Sequence, residues 1–218
     1  AAMLTTALMG PMRELIGAVQ PQIDIMEIAC SPESALTQEF VDNGFTGMRI
    51  NYRNGFDLDS KKGTNLLVKE IKEKHPKLAW VSMVCTRMSS LQNLTPRTPE
   101  QQDRFLKRKG QDLRRCDDVV TGLEEVLQHG DDLAWEWPSS AVAGWRSRPL
   151  QRLQRLIKRY NRQIYWINID GCQYGLEWHG WPVKKAWTIL TTSRNLWLTL
   201  NKRCDGTHEH IHCRGQIA

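Results

Sequence analysis

Short apolar segments alternate with amphipathic ones through the N-terminal half of the chain, and this alternation constrains the fold more than any other feature. The apolar segments predict strands at residues 23–28, 45–52 and 78–84, and the amphipathic segments predict helices at residues 33–43 and 64–74. Strands that alternate with helices form mainly parallel sheets with helices packed on their faces. The sequence therefore predicts an α/β fold.

The second half of the chain continues this pattern. Helices are expected at residues 101–129 and 149–162, strands at 133–137, 163–169 and 187–192, and a polar loop at 91–100. Together these segments predict a Rossmann-like, mainly parallel sheet with helices on both faces. The length of 218 residues favours one domain over residues 1–200, with a His/Cys-rich tail at residues 201–218 packed on it as a small appendage.

Composition excludes disordered, collagen-like and coiled-coil proteins. The content of hydrophobic residues is that of a globular protein, and no run of about 18 apolar residues is present. Pro11, Arg13 and Glu14 interrupt the N-terminal 19 residues, which argues against a signal peptide and predicts an intracellular protein, nuclear or cytoplasmic. Six cysteines in such a chain indicate thiols or metal ligands. A net charge of +6 suggests an anionic partner.

Residues that directly follow strands are candidates for chemistry, because ligands of open α/β sheets bind beyond the carboxyl ends of the strands. Three such stretches stand out: residues 30–34, 85–90 and 136–140. Cys85 and Glu136 follow or end neighbouring predicted strands and could face one crevice. The alternative is that Cys85 is a small buried hydrophobic residue and Glu136 a partnered carboxylate.

Four segments in order carry a family resemblance. Cys85 with Ser89-Ser90 and Gln92-Asn93 resembles the Pro-Cys motif of cytosine-5 DNA methyltransferases, and the segment 135–138 falls where their Glu-Asn-Val motif would follow the next strand. Residues 55–57 resemble one further motif of that family, and residues 172–176 followed by residues 182–185 resemble a later motif with its basic residues. The set, with residues 204–210, more closely resembles methyltransferase-like domains of eukaryotic retroelement polyproteins, over residues 23–215.

The resemblance implies a methyltransferase that uses S-adenosylmethionine to methylate a base of a nucleic acid. Cys85 would be the nucleophile, and Glu136 would hydrogen-bond the ring nitrogen. Such a nucleophile needs a lowered thiol pKa, and Arg87, two residues further on, is the only nearby cation in the sequence. The implied cofactor residues are Ala29, Cys30, Ser31, Asn51 and Asp57, with Asp57 at the adenosine. The sequence departs from the family in having no glycine at residues 27–32. A second reading is a catalytically inactive domain that binds nucleic acid or protein.

The tail carries a dense set of thiols and imidazoles, which are ligands of zinc. Cys204, His208 and His210 are spaced closely enough to share one ion. The resemblance favours Cys172 as the fourth ligand, because its motif accompanies Cys204 in the related domains; His212 and Cys213 are the local candidates. The alternative is a flexible polar tail whose histidines happen to cluster.

A run of cations without an acidic residue lies between residues 145 and 165. Apolar residues at helical spacing give this segment a core-facing side, so its cations are predicted to form an exposed stripe that contacts phosphates of DNA or RNA: Arg146, Arg148, Arg152, Arg155, Arg159 and Arg162. Four aromatic residues beside them could stack on unpaired bases: Trp145, Tyr160, Tyr165 and Trp166. The alternative is a solvated helix face.

Overall fold

The fold is known from a computed structural model, which describes residues 22–211. The interrupted N-terminal segment and the alternative ligands His212 and Cys213 lie outside the described residues. The α/β prediction is confirmed, since a mainly parallel sheet of six strands is flanked by helices. The strands are β1 (Ile25–Ile28), β2 (Gly47–Ile50), β3 (Leu78–Val81), β4 (Asp132–Pro138), β5 (Tyr165–Asp170), β6 (Glu177–Trp178), β7 (Trp181–Pro182) and β8 (Ala186–Thr191).

The central sheet has the order β2-β1-β3-β4-β8-β5. Its first four strands are parallel, and β8 runs antiparallel to both β4 and β5. The chain passes from β1 outward to β2 and returns to β3 on the other side of β1, so the strand order reverses there. Such a switch point leaves a crevice at the carboxyl ends of the strands.

Helices cover both faces of the sheet: α1 (Ala35–Asp42), α2 (Lys61–Lys74), α3 (Pro99–His129), α4 (Val142–Trp145), α5 (Arg148–Arg159) and α6 (Arg194–Leu200). The larger core lies under α2, α3 and α5, where Trp135 and Trp137 of β4 are fully buried. A smaller apolar cluster lies under α1 and α6 on the opposite face. No helix among residues 22–211 is both long enough and apolar enough to cross a membrane.

Capping interactions explain where the helices depart from the predicted boundaries. Helix α2 begins at Lys61 instead of residue 64, because Ser60 Oγ accepts a hydrogen bond from the Gly63 N–H. Helix α3 begins at Pro99, inside the predicted loop, because Thr98 and Gln101 form a reciprocal capping box. Helix α5 ends at Arg159, three residues early, and Asn161 then takes a positive φ of 54°.

The β6–β7 hairpin was not predicted from the sequence. Its two-residue turn consists of His179 and Gly180, which both have positive φ, of 50° and 77°. Turns of this type favour glycine, and a histidine at the first position makes the turn hard to recognise from the sequence. The hairpin matters because the residue that follows it, Val183, pairs with Ile211 of the tail.

Candidate functional site

A cavity of about 240 Å³ lies at the switch point, beyond the carboxyl ends of β1, β2 and β3. Four of the five residues that the resemblance assigns to the cofactor line it: Ala29, Cys30, Asn51 and Asp57. The fifth, Ser31, is not part of its lining, and its hydroxyl bonds the Glu33 carboxylate instead. The topology therefore brings together residues from three separate strand ends, whereas Ser31 falls outside.

Two backbone features shape the cavity wall. Ala29 has a φ of 60°, a left-handed conformation that is unfavourable for a residue with a Cβ atom. Gly63 of α2 packs so closely on the Asp57 turn that a Cβ atom there would lie 1.9 Å from the Asp57 carbonyl oxygen. The turn that carries Asp57 is thus fixed by a glycine contact, and a methyl group occupies the position where the family would have glycine.

The polar groups of the cavity differ in whether they have hydrogen-bond partners. Asn51 is 6% exposed, and its Oδ1 accepts from the Asn54 N–H, while its Nδ2 makes no hydrogen bond within residues 22–211. Asp57 accepts from the Asp59 N–H through Oδ1. Burial raises the pKa of the Cys30 thiol to about 11; the Glu27 carboxylate adds to the rise, and the adjacent Asn51 side chain opposes it. At neutral pH the cavity therefore has a neutral thiol and an unsatisfied amide donor.

The inner wall of the cavity is a network of paired charges. Asp112 of α3 is nearly fully buried and accepts hydrogen bonds from both Arg87 and Arg115. Arg115 also bonds the Asp59 carboxylate. Because buried charges are stable only when they are paired, this network fixes α3 against the strand ends.

Cys85 packs against the larger apolar core, as the alternative interpretation predicted, and lies close enough to Glu136 for their charges to interact; neither residue lines the cavity at the switch point. Burial raises the pKa of the Cys85 thiol above its usual value; the Glu136 carboxylate adds to the rise, and the Lys185 ammonium opposes it. Burial also raises the pKa of Glu136, against the effect of hydrogen bonds from Trp80 Nε1 at 3.4 Å and Ser82 Oγ at 3.3 Å. Both groups are thus held toward their neutral, protonated forms.

The expectation that Arg87 activates Cys85 is wrong. Arg87 donates to Asp112 at 2.6 Å, and the cation that lowers the pKa of Cys85 is Lys185, which lies 100 residues further along the chain. Sequence proximity suggested Arg87, but the ion pair with a buried carboxylate holds its guanidinium elsewhere.

A second group of side chains converges beside β5. Cys172, Cys204, His208 and His210, called here the Cys/His cluster, have potential ligand atoms that all lie within 4.8 Å of one another. The Nε2 atom of His210 is 3.3 Å from the sulfur atoms of both Cys172 and Cys204. Two thiols and two imidazoles form the donor set of a tetrahedral zinc site, so this cluster could hold zinc.

The described part of the tail is joined to the sheet next to this cluster. The backbone N–H of Cys204 donates to the Asp170 carboxylate at 2.9 Å, and the backbone N–H of Asp170 donates to the Lys202 carbonyl at 3.2 Å. Asp170 is the last residue of β5. The cluster thus connects the end of β5, the 3₁₀ helix Gly171–Tyr174 and the tail.

The predicted basic stripe is divided by ion pairs. Three of its arginines pair with acidic residues of α3 and β4: Arg152 with Asp117, Arg159 with Glu124 and Arg162 with Asp132. The other three are exposed and form no salt bridge within residues 22–211: Arg146, Arg148 and Arg155. Three arginines of the stripe are therefore paired within the fold, and three have exposed side chains without a salt bridge in this part of the chain.

The aromatic residues near the stripe are engaged within the protein. Trp145 makes edge contacts with Trp137 and Trp166, each with ring centroids 5.4 Å apart. Tyr165 stacks on Trp197. Trp166 is the exposed member of the four, at 40%. The stacking role predicted for these residues is therefore restricted to Trp166.

Sequence reasoning did not single out Lys185, Asp112 or Asp59. Lys185 lies in the stretch 182–185, which resembles a family motif with basic residues, and this resemblance could have identified it. Nothing local marks Asp112, since it is one of several acids on a long polar helix and only the tertiary fold buries it.

Comparisons with known proteins give a distant structural likeness. No protein-family model matches the chain, and no curated protein matches it. A solved structure of the methyltransferase EhMeth of Entamoeba histolytica is similar with a TM-score of 0.41 and 12% sequence identity, over 79% of this chain. The chain spans 53%, about half, of the length of that structure. A likeness this weak carries no functional argument, and the proposals below rest on the site.

Proposed function

We propose that this chain is an S-adenosylmethionine-dependent methyltransferase-like protein that acts on a base of nucleic acid. One observation carries the proposal: the cavity at the switch point ends at Met83 and Val84, directly before Cys85, and the charges of Glu136 and Lys185 act on that thiol. A nucleoside-binding cavity and a thiol with a nearby carboxyl group would thus lie side by side at one edge of the sheet.

The residues of the cavity suit a nucleoside cofactor. Phe56 and Met83 supply apolar surface, the Asp57 carboxylate can accept hydrogen bonds from ribose hydroxyls, and the unsatisfied Nδ2 of Asn51 can donate to an acceptor of the ligand. Residues 29 and 30 would contact its amino-acid part. When bound, S-adenosylmethionine would supply an electrophilic methyl group.

Cys85, Glu136 and Lys185 have separate roles in this proposal. A protonated Glu136 can donate a hydrogen bond to a ring nitrogen, and the raised pKa favours that protonated form. Lys185 stabilises the thiolate that Cys85 needs in order to attack a pyrimidine ring. The base must leave a duplex, or come from a single strand, to reach this edge.

Zinc is the second proposed cofactor. Cys172, Cys204, His208 and His210 would hold one ion, in a closed site that serves structure. The ion would fasten the tail to the end of β5, because a polar segment of this length cannot order itself by burial.

Calorimetric titration of the zinc-loaded protein with S-adenosylmethionine and with its demethylated product tests the cofactor. We expect a dissociation constant of roughly micromolar order and a severe loss of affinity in both Asp57→Ala and Asp57→Asn. A pyrimidine analogue that traps the nucleophile should form an adduct with the wild type but not with Cys85→Ser. Absence of heat with either ligand at high concentration would end the enzyme proposal.

A catalytically inactive binding module is the second candidate, and two observations favour it. The thiol pKa of Cys85 is raised, whereas a nucleophilic cysteine needs a lowered one. The Cβ atom of Ala29 also stands at the strand end where close backbone approach would favour glycine. This candidate predicts nucleic-acid or protein binding without cofactor heat and without adduct formation.

A further inference from the structure

A second cavity, of about 350 Å³, lies on the other side of the Arg87–Asp112 ion pair from the first. It is called here the basic cleft. Its walls come from the segment after Cys85, from the N-terminal half of α3, and from α4 with the residue that follows it. The six lining residues that matter are Arg87, Ser89, Ser90, Phe105, Lys109 and Arg146.

The basic cleft has an excess of positive charge. Three cations line it, and no acidic residue does. Arg87 and Arg115 offset the charges of Asp112 and Asp59, with which they pair. Lys109 and Arg146 form no salt bridge within the described chain, so about two positive charges face the cleft without compensation. A cavity of this sign attracts an anion.

The donors in the basic cleft match a phosphate group. The pair with Asp112 holds the Arg87 guanidinium in place, and a guanidinium carries five N–H donors in a planar fork. Hydroxyl groups of Ser89 and Ser90 lie in the same lining. Guanidinium, ammonium and hydroxyl groups are the side chains that most often contact backbone phosphates.

An aromatic ring lies next to these cations. Phe105 of α3 lines the basic cleft, and the Arg97 guanidinium lies 4.1 Å from its ring centre, which fixes the orientation of the ring. Sites for single-stranded nucleic acid combine cations along the backbone with an aromatic surface for a base. The volume suits one nucleotide and is far too small for a duplex.

We propose that the basic cleft binds one nucleotide of a single nucleic-acid strand, with Lys109 and Arg146 at its phosphodiester and Phe105 at its base. This inference rests on the proposed function in one respect: the base next along the strand would lie at Cys85. The 3₁₀ helix Thr86–Met88 separates Cys85 from the lining residues Ser89 and Ser90, so the strand would follow the chain along this edge of the sheet.

Fluorescence anisotropy with a labelled single-stranded oligonucleotide tests the proposal on the full zinc-loaded chain. Lys109→Glu and Arg146→Glu should each weaken binding by at least about tenfold, as expected for a lost charged hydrogen bond plus repulsion. Lys109→Ala should reduce the slope of log affinity against log salt by about 0.7, the value for one phosphate contact on a single strand.

Two exposed arginines provide matched controls. Arg108→Glu is next to Lys109 on α3, and Arg104→Glu is next to Phe105 on the same helix; neither arginine lines the basic cleft. Both controls change the net charge of the protein equally, so we expect losses below about threefold, the part due to long-range attraction. Circular dichroism and melting temperature of all five variants verify that they fold.

Several outcomes would overturn the inference. Equal losses in the controls would mean a diffuse electrostatic attraction, and tighter binding of duplex than of single strand would exclude a one-nucleotide cleft. An octamer of glutamate that competes as well as the oligonucleotide would assign the cleft to an acidic protein segment. If the wild type binds no oligonucleotide, the inference fails together with the nucleic-acid partner, whereas the cofactor titration separately decides the first cavity.

Discussion

The Cys/His cluster and the cavity at the switch point both lie at strand ends, but their polar groups are arranged in opposite ways. In the cluster, thiol and imidazole atoms of four residues converge on one point, and no carboxylate belongs to the group. In the cavity, the strongly charged residues neutralise each other, as Arg115 does with Asp59 and Asp112. The cluster presents donors that a single cation could join, whereas the charges in the wall of the cavity are paired within the protein.

This difference decides what each site can bind tightly. Converging soft donors bind a metal ion by their number and geometry, so the cluster needs nothing further. The cavity must hold a ligand by shape and by the few groups that remain unsatisfied, of which the Asn51 amide is the most buried. Zinc affinity should therefore be robust to changes elsewhere, and cofactor affinity should be sensitive to small changes of the backbone.

Cys204→Ser should have the largest effect. A structural zinc contributes several kcal/mol to folding, and each kcal/mol moves the melting temperature of a chain of this size by about 2–4 °C, so we expect a fall of roughly 10 °C. Elemental analysis should find about one zinc per chain in the wild type and little in the variant. Cys85→Ser is the matched control and should keep the metal. Metal-free wild type with an unchanged melting temperature after exhaustive chelation would contradict the zinc proposal.

Gly63→Ala should disturb the cavity but not the Cys/His cluster. The new Cβ atom would lie 1.9 Å from the Asp57 carbonyl oxygen, so the Asp57 turn must move, at a loss of about 1–3 kcal/mol. Urea unfolding measures this loss, and calorimetry should show weaker binding of S-adenosylmethionine with unchanged zinc content. The control is Gly110→Ala on α3, where a Cβ atom meets nothing within 4 Å and should be neutral or slightly stabilising. Unaltered cofactor affinity in Gly63→Ala would mean that Asp57 does not contact the ligand.

Glu136→Gln should stabilise the protein at neutral pH. The folded-state pKa of Glu136 is raised above its ordinary value of 4.5, so the folded state favours the protonated carboxyl, and wild-type stability falls as pH rises through the folded pKa. The amide avoids this loss, and we expect a melting temperature a few degrees above that of the wild type at pH 8, with the difference vanishing near pH 4. Glu177→Gln, on the exposed hairpin strand, should show no such pH dependence. A constant difference at all pH values would place Glu136 in a polar environment.

The strands of the sheet, the two candidate sites and the ligands of the cluster could be predicted from the sequence to different degrees. Strands and helices follow from local apolar periodicity, so the parallel α/β fold could be predicted, although Ser60 and Thr98 moved the helix starts. The cluster could be predicted because three of its four members lie within seven residues of one another. Cys172 required the family resemblance.

The electrostatics of the cavity could not be predicted in the same way. Lys185, and not Arg87, acts on Cys85, because the charge that matters comes from the residue before β8, which is distant in the chain. The burial of Asp112 likewise depends on the packing of α3 against the strand ends, which no local pattern encodes. The same packing divides the basic stripe into paired and unpaired arginines.

Ala29→Gly should give the smallest effect and the sharpest test of the cavity. Relief of the left-handed conformation raises the free energy of unfolding by about 1–2 kcal/mol. The greater conformational freedom of glycine in the unfolded chain lowers it by about 0.5–1 kcal/mol. We therefore expect a net stabilisation of about 0.5–1 kcal/mol in urea unfolding.

His179→Gly relieves a positive φ of 50° on the distant hairpin and should stabilise by a similar amount. The two variants should differ in their affinity for S-adenosylmethionine, measured by calorimetry. Only Ala29→Gly removes a methyl group from the cavity lining, and this change should tighten binding. Equal cofactor affinities in the two variants would mean that the end of β1 does not approach the ligand, and any binding in the cavity would then depend on Asn51 and Asp57 at the other strand ends.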